Sequence, residues 1–162
     1  KLTDTLTYYI TIIKDKFPSI DFVQKYDSSN TQFIFEGNIE DDYLLQKLEF
    51  IYSGNDNDSI INYSENIKIE KSRKQRFFYT FNFDNLNINP GTELTYHFKI
   101  WDNDAINGSK FTKSNTFIYK KPTIKEIIKK QDLENKKIED EKNRDINELK
   151  ILLAKVLMPV KV

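Results

Sequence analysis

Between residues 94 and 101 the chain reads LTYHFKIW, and its apolar and polar positions alternate strictly. Leu94, Tyr96, Phe98 and Ile100 fall on one side, and Thr95, His97, Lys99 and Trp101 on the other. Such a period of two is the mark of a half-buried antiparallel strand. The turn formers Asp102, Asn103, Asp104, Asn107 and Gly108 follow, and residues 111–119 return as a second strand. This predicts a β-hairpin late in the chain, with every earlier apolar run as its potential neighbour.

The earlier runs have the same character. Residues 20–26 predict a short strand, and the cluster 27–30 a turn. In the next strand Phe33, Phe35 and Gly37 alternate with Ile34 and Glu36. Glu40, Asp41 and Asp42 predict a turn before a strand at 44–52, where Leu48, Phe50 and Tyr52 share a face. Residues 54–59 (GNDNDS) read as an exposed loop. Strands at 60–69 and 77–83 come next, separated by a basic loop at 71–76. In the second of them Phe77, Tyr79, Phe81 and Phe83 alternate with Phe78, Thr80 and Asn82. Residues 84–92 (DNLNINPGT) form a turn into the hairpin. Seven or eight strands at a spacing of roughly 8–12 residues predict a Greek-key sandwich of the immunoglobulin or fibronectin type III kind over residues 17–121. Leu86, Pro90, Gly91, Thr92 and Leu94 resemble the corner before the penultimate strand of fibronectin-type domains.

Residues 6–13 (LTYYITII) are dense in β-branched and aromatic residues and also read as a strand. Pro18 separates this run from the strand at 20–26, because proline donates no ladder hydrogen bond and holds Phe17 extended. Residues 1–16 are therefore either an edge strand broken at Pro18 or the last strand of a preceding domain. The second reading gains from an echo, since Pro122, Thr123 and Ile124 again come just after a strand, as Pro18, Ser19 and Ile20 do.

At Pro122 the period changes, and residues 122–162 predict a charged helix and tail. Thr123 and Glu126 stand at capping-box spacing, each satisfying a free N–H of the first helical turn, worth about 1 kcal/mol. Ile124, Ile127 and Ile128 make an apolar first turn. Residues 129–145 then hold only Leu133 and Ile138 as large apolar side chains. A helix that polar bridges solvent or frays alone. Ile146, Leu149, Leu152, Leu153, Val156 and Leu157 restore a stripe, and Pro159 ends it. A sandwich of this size offers that stripe no obvious packing surface. Leu149, Leu152, Leu153, Val156 and Leu157 are accordingly the candidate surface for a protein partner or for self-association.

Composition narrows the range of functions. The 162 residues carry 25 basic and 25 acidic side chains, so no global field draws nucleic acid or anionic lipid. There is no cysteine, which removes disulfides, thiolate metal sites and thiol chemistry. No apolar run approaches the ~18 residues of a membrane span, and no signal peptide is visible. The chain begins at Lys1 without an initiator methionine, the start expected of a processed or excised piece, so targeting signals are not read from it.

Candidate chemistry is sparse. Asp41 and Asp42 share a pole with Asp102 and Asp104 in an immunoglobulin-like sandwich, and carboxylates from two loops suit calcium, a hard cation. Turn chemistry alone also places Asp and Asn there, and it is the default reading. Calcium is thus the one candidate cofactor. His97, with no cysteine and no serine motif, makes neither a triad nor a zinc site. Trp101 is a candidate sugar platform on the outer face, against the commoner role of a core or rim ring. The segment 71–76 is basic, but nucleic-acid binding wants a basic face with interleaved aromatics. Asp41 with Asp42, and Asp56 with Asp58, lie in loops with no apolar pocket to raise their pKa values for acid catalysis. No enzyme is expected.

Three phrases carry a resemblance: Lys14-Asp15-Lys16-Phe17-Pro18-Ser19-Ile20, Glu40-Asp41-Asp42-Tyr43, and the run from Trp101 to Gly108 leading to Phe117-Ile118-Tyr119. Together they resemble a family of large envelope proteins of Bacteroidetes-type bacteria, catalogued as a domain of unknown function. In that family N-terminal membrane helices precede immunoglobulin-like domains, and a long Glu/Lys-rich coiled region comes after them. The likeness runs from Ile10 to about Glu141. Leu44 stands where the family pattern has glycine, so the turn there is expected to differ. The resemblance implies no activity. It implies a periplasmic or envelope location in a membrane-anchored parent protein. The expectation is therefore a non-catalytic structural or protein-interaction module, with the C-terminal helix as the partner-binding or assembly element. A carbohydrate- or calcium-binding sandwich is the alternative.

Overall fold

A computed structural model describes residues 6–11, 14–27, 32–57, 59–104 and 108–157, the Leu157 side chain excepted. The chain divides into two compact units, residues 1–120 and residues 121–162. The first contains strands β1 (Ser19–Tyr26), β2 (Phe33–Glu40), β3 (Leu45–Asp56), β4 (Ser59–Ile67), β5 (Lys74–Phe81), β6 (Glu93–Asp102), β7 (Phe111–Lys113) and β8 (Phe117–Lys120), with a 3-10 turn at Phe83–Asn85. Two antiparallel sheets result. One has the order β1-β2-β5, and the other the order β4-β3-β6-β7 with β8 also on β6. Facing sheets with a shared apolar interior make a mainly β, sandwich-like unit.

The alternation at residues 94–101 sets the interior. Leu94, Tyr96, Phe98 and Ile100 are buried, as are Phe35 and Ile39 of β2 and Leu45, Leu48 and Phe50 of β3. Phe98 is the hub: its ring centroid lies 5.0 Å from Phe22, 5.1 Å from Phe35, 5.2 Å from Phe50 and 5.3 Å from Phe77. Those rings come from β1, β2, β3 and β5, so one side chain of β6 ties both sheets together. Edge-on ring pairs of this kind contribute about 0.5–1.5 kcal/mol each beyond area burial.

Two tyrosine hydroxyls join the sheets. Tyr79 of β5 donates to Glu65 Oε2 of β4 at 2.7 Å, and Tyr96 of β6 donates to Gln24 Oε1 of β1 at 2.6 Å. Burial first, then the hydrogen bond to Glu65, pushes the Tyr79 phenol far above its ordinary range. Tyr96 is pushed up to about 12, mainly by burial. Both therefore stay neutral donors across the physiological range.

Several expectations are corrected. Residues 6–11 form no strand: they have no regular structure, and Tyr9 is 95% exposed. That removes an edge strand of this sandwich, because a strand needs a neighbour for its N–H and C=O groups and β-propensity alone supplies none. Ile12 and Ile13 lie outside the described residues. Pro18, by contrast, is fully buried. The expected loop 54–59 is mostly strand, because Ser53, Gly54, Asn55 and Asp56 pair with Asn62, Ile61, Ile60 and Ser59. Ladder hydrogen bonds do not require apolar side chains, and Asn57, at φ 54°, supplies the tight turn instead. Asp58 lies outside the described residues.

The basic loop 71–76 is half strand. Lys74 and Arg76 of β5 face Glu40 and Glu36 of β2 as cross-strand ion pairs, with Lys25 of β1 on the other side of Glu36. The predicted strand 111–119 is two strands. Between them Ser114 leaves the ladder, its N–H donating to Phe98 O at 2.9 Å and its Oγ accepting from Phe98 N–H at 3.0 Å.

The second unit is one helix, α1 (Ile124–Leu157), of 34 residues. At 1.5 Å per residue it is about 50 Å long. The expected capping box forms: Thr123 N–H donates to Glu126 Oε2 at 2.8 Å, and Glu126 N–H to Thr123 Oγ1 at 3.3 Å. Among the described residues no helix is long and apolar enough to cross a membrane.

Candidate functional site

The chemistry-bearing residues gather at one pole of the sandwich, where β2 turns into β3 and β6 turns into β7. Asp41 comes directly after β2 and is only 5% exposed, and Asp102 ends β6 at 1%. The alternation of β6 explains the latter: Asp102 continues the inward series after Ile100, so the strand carries a carboxylate into the core edge. Backbone N–H groups meet part of its charge. Asp102 Oδ1 accepts from Asp104 N–H at 3.1 Å and Lys110 N–H at 2.8 Å, which closes the start of the hairpin loop. Asp41 Oδ2 accepts from Tyr43 N–H at 3.1 Å, and Asp42 Oδ2 from Lys16 N–H at 3.2 Å.

The remaining oxygens are not met. Among the described residues Asp41 Oδ1, Asp42 Oδ1 and Asp102 Oδ2 are buried without a hydrogen-bond partner. A buried anionic acceptor without a partner carries a desolvation penalty of about 1–3 kcal/mol or more. Burial accordingly pushes the Asp41 carboxyl above the ordinary carboxylate range. The Tyr43 N–H pulls it back in part, while the negative charges of Asp42, Asp102 and Asp15 push in the same direction as burial. Lys110 is the cation of the pole: its ammonium bonds to the Asp15 carboxylate and to Asp15 O at 3.3 Å. That bond, and the field of Asp15, Asp102 and Asp104, raise its pKa against some desolvation.

Asp41, Asp42 and Asp102 thus lie at one pole, within reach of one another's charge. Asp104 contributes its backbone N–H to Asp102 and its charge to the field around Lys110. Asp15 and Lys110 were not legible: Asp15 stands in the sequence as one polar residue before Pro18, and Lys110 as one of many lysines. Among the described residues no three carboxylate or imidazole side chains stand close enough together to hold a metal ion. Residues 105–107 of the adjoining loop lie outside the described residues.

On the outer face of the second sheet, Trp101 is not a bare platform. Lys47 Nζ and Lys99 Nζ sit 4.7 and 4.5 Å from its ring centre, and Phe111 lies 6.2 Å away. Cation–π contacts of this kind occupy the ring that a sugar would stack on. His97 is half-buried on the same face. Burial, then the charges of Lys113 and Lys99, lowers its pKa, so it stays neutral at pH 7.

At the opposite pole Asp56 acts as a clamp. It accepts from Asn89 N–H at 3.1 Å, Asn89 Nδ2 at 3.0 Å and Thr92 Oγ1 at 2.7 Å. These bonds hold the corner at Pro90 and Gly91, where Gly91 takes φ 91°. Asp56 is structural there, a role hidden while its neighbourhood read as a loop.

On α1 the candidate partner-binding residues Leu149, Leu152, Leu153 and Val156 are all more than half exposed, Val156 at 80%. The Leu157 side chain lies outside the described residues. A single helix has no second surface against which to bury such a stripe. No family model, curated protein or solved structure matches this chain.

Proposed function

We propose that this chain is a non-catalytic structural and protein-interaction module of a bacterial envelope protein. In this reading the sandwich is of the immunoglobulin or fibronectin type III kind and acts as a stiff spacer. The helix is the partner-binding or assembly element. The strand order supports the fold type, because a three-stranded sheet β1-β2-β5 facing β4-β3-β6 and a split last strand matches the Greek-key sequence of that class. A core packed with interlocking rings, its sheets joined by two tyrosine hydroxyls, suits a spacer that holds its shape. The envelope location rests on the phrase resemblance alone.

The observation that carries the interaction role is the exposed stripe of Leu149, Leu152, Leu153 and Val156 at the end of a polar helix. Contiguous exposed apolar surface marks an association site. Light-scattering mass of the full chain against a chain ending at Lys121 tests it. A concentration-dependent mass above the monomer for the full chain alone supports assembly through the helix. Monomers in both, with no partner recovered by the helix, remove the reading.

The alternative, a calcium-binding module, would draw on the buried oxygens of Asp41, Asp42 and Asp102, although among the described residues no three carboxylates stand close enough together to hold an ion. A rise in melting temperature with calcium, reversed by chelator, supports it. An unchanged melting temperature eliminates it.

A further inference from the structure

The assembly reading leaves open which helix covers the stripe and in which direction. The heptad register of α1 constrains both. With Leu149 at position a, Leu152 takes d and Val156 the next a, and the register runs back unbroken through Asp145 (d), Lys142 (a), Ile138 (d), Asn135 (a), Gln131 (d) and Ile128 (a) to Ile124 (d). The seam is apolar at its ends and polar in the middle. Flanking it at positions g and e from residue 134 onward stand Glu134, Glu139, Glu141, Ile146, Glu148, Leu153 and Lys155.

A parallel, in-register pair of such helices sets like on like. Lys142 would face Lys142 of a second copy across the seam, Asp145 would face Asp145, and Glu134 would flank Glu139. An antiparallel pair centred between residues 150 and 151 changes every one of these contacts. Position a then packs against d, g against g, and e against e. Leu149 meets Leu152 twice, Ile146 meets Leu153 twice, and Glu148 meets Lys155 twice. Two ion pairs thus bracket four leucines, and the mismatches are confined to the two ends, where Asp145 lies beside Val156. Burial of an apolar stripe supplies the attraction, and the charges choose the direction.

We propose that the last three turns of α1 bind the same segment of a second copy of this chain in antiparallel orientation, with Glu148 and Lys155 as the reciprocal ion pairs that fix the register. The inference rests on the assembly reading above and narrows it to self-pairing of one geometry. The contact is short, so the association is weak and concentration-dependent.

Sedimentation equilibrium of the full chain, its Glu148→Lys and Lys155→Glu variants and the double variant reads the charge pairing. Each single reversal makes two like-charge contacts and is expected to weaken self-association about tenfold, and the double variant to restore it. Orientation is read independently. The protein has no cysteine, so Asn143→Cys carries one spin label per copy. Antiparallel pairing about residues 150 and 151 separates the two labels by ~22 Å along the axis, whereas parallel pairing places them side by side. Self-association that ignores the charge reversals, or labels found side by side, overturns this geometry while assembly through the helix survives. A full chain that remains monomeric at high concentration overturns self-pairing itself.

Discussion

Gly37 sits at the centre of β2, opposite Phe22 on β1 and Phe77 on β5. A Cβ placed there would lie 2.2 Å from Asp21 O, 2.5 Å from Phe22 Cβ and 2.8 Å from Phe22 Cα. Ordinary contact begins near 3.4 Å, and the nearest obstacle is backbone, which has no rotamer to escape into. Gly37→Ala therefore forces the middle of β1 outward by about 1 Å, an overpacking that costs about 1–3 kcal/mol. The shift also draws Phe22 off its ring contacts with Phe35, Phe98 and Phe117, at 5.9, 5.0 and 5.6 Å. Against this, alanine restricts the unfolded chain and returns about 0.4–1 kcal/mol. The net expectation is a loss of about 2 kcal/mol. With a urea slope of about 2 kcal/mol/M for a domain of this size, the unfolding midpoint falls by about 1 M. Asn38→Ala on the exposed face of the same strand is the control and shifts stability by less than about 0.5 kcal/mol. An unchanged or raised midpoint for Gly37→Ala, the result of the entropy term acting alone, refutes the close approach of β1 to β2.

The same contacts set three further outcomes. Asp41→Asn keeps an acceptor for Tyr43 N–H while removing a buried charge, and should stabilise the protein at pH 7 by about 1 kcal/mol. The folded-state pKa of Asp41 is raised, so its penalty is present above that pKa and vanishes on acidification. The advantage of the variant, tracked by thermal melts across pH, must therefore close as pH falls to the ordinary aspartate value of 3.8; an advantage that widens in acid contradicts the sign. Tyr79→Phe removes the hydroxyl bond that joins β5 to β4 and leaves Glu65 without its donor, an expected loss of about 1–3 kcal/mol in denaturant melts; a neutral result shows that solvent takes the place of the bond. Thr123→Ala removes the N-cap hydroxyl, and amide exchange in the first turn of α1 should accelerate by about fivefold, a cap being worth about 1 kcal/mol; unchanged protection there dismisses the capping box.

The strands of the core were legible because burial acts on side chains one at a time and leaves a period of two. Leu94 to Ile100 and Phe33 to Gly37 needed no partner to be recognised, and the switch to helix at Thr123 was equally local, a cap and a change of period. Strand ends were less legible. Asn55 and Asp56 belong to β3 through backbone hydrogen bonds that carry no residue preference, and Ser114 breaks the last strand by a side-chain bond to Phe98 that composition does not announce. Residues 6–11 err in the other direction, with strong β-propensity and no neighbouring strand to satisfy it.

The candidate site divides along the same line. That Asp41, Asp42 and Asp102 end strands at one pole could be read from turn chemistry and from the order of the strands. That Asp41 and Asp102 are buried, that three of the pole's oxygens lack a donor among the described residues, and that Asp15 and Lys110 join them depends on residues far apart in the chain meeting at one end of two sheets. By itself the sequence determined which side chains face inward, where the helix begins, and where its apolar stripe lies. Only the tertiary structure decided which charges lost their water, because desolvation is a property of the packed whole and leaves no period in the chain.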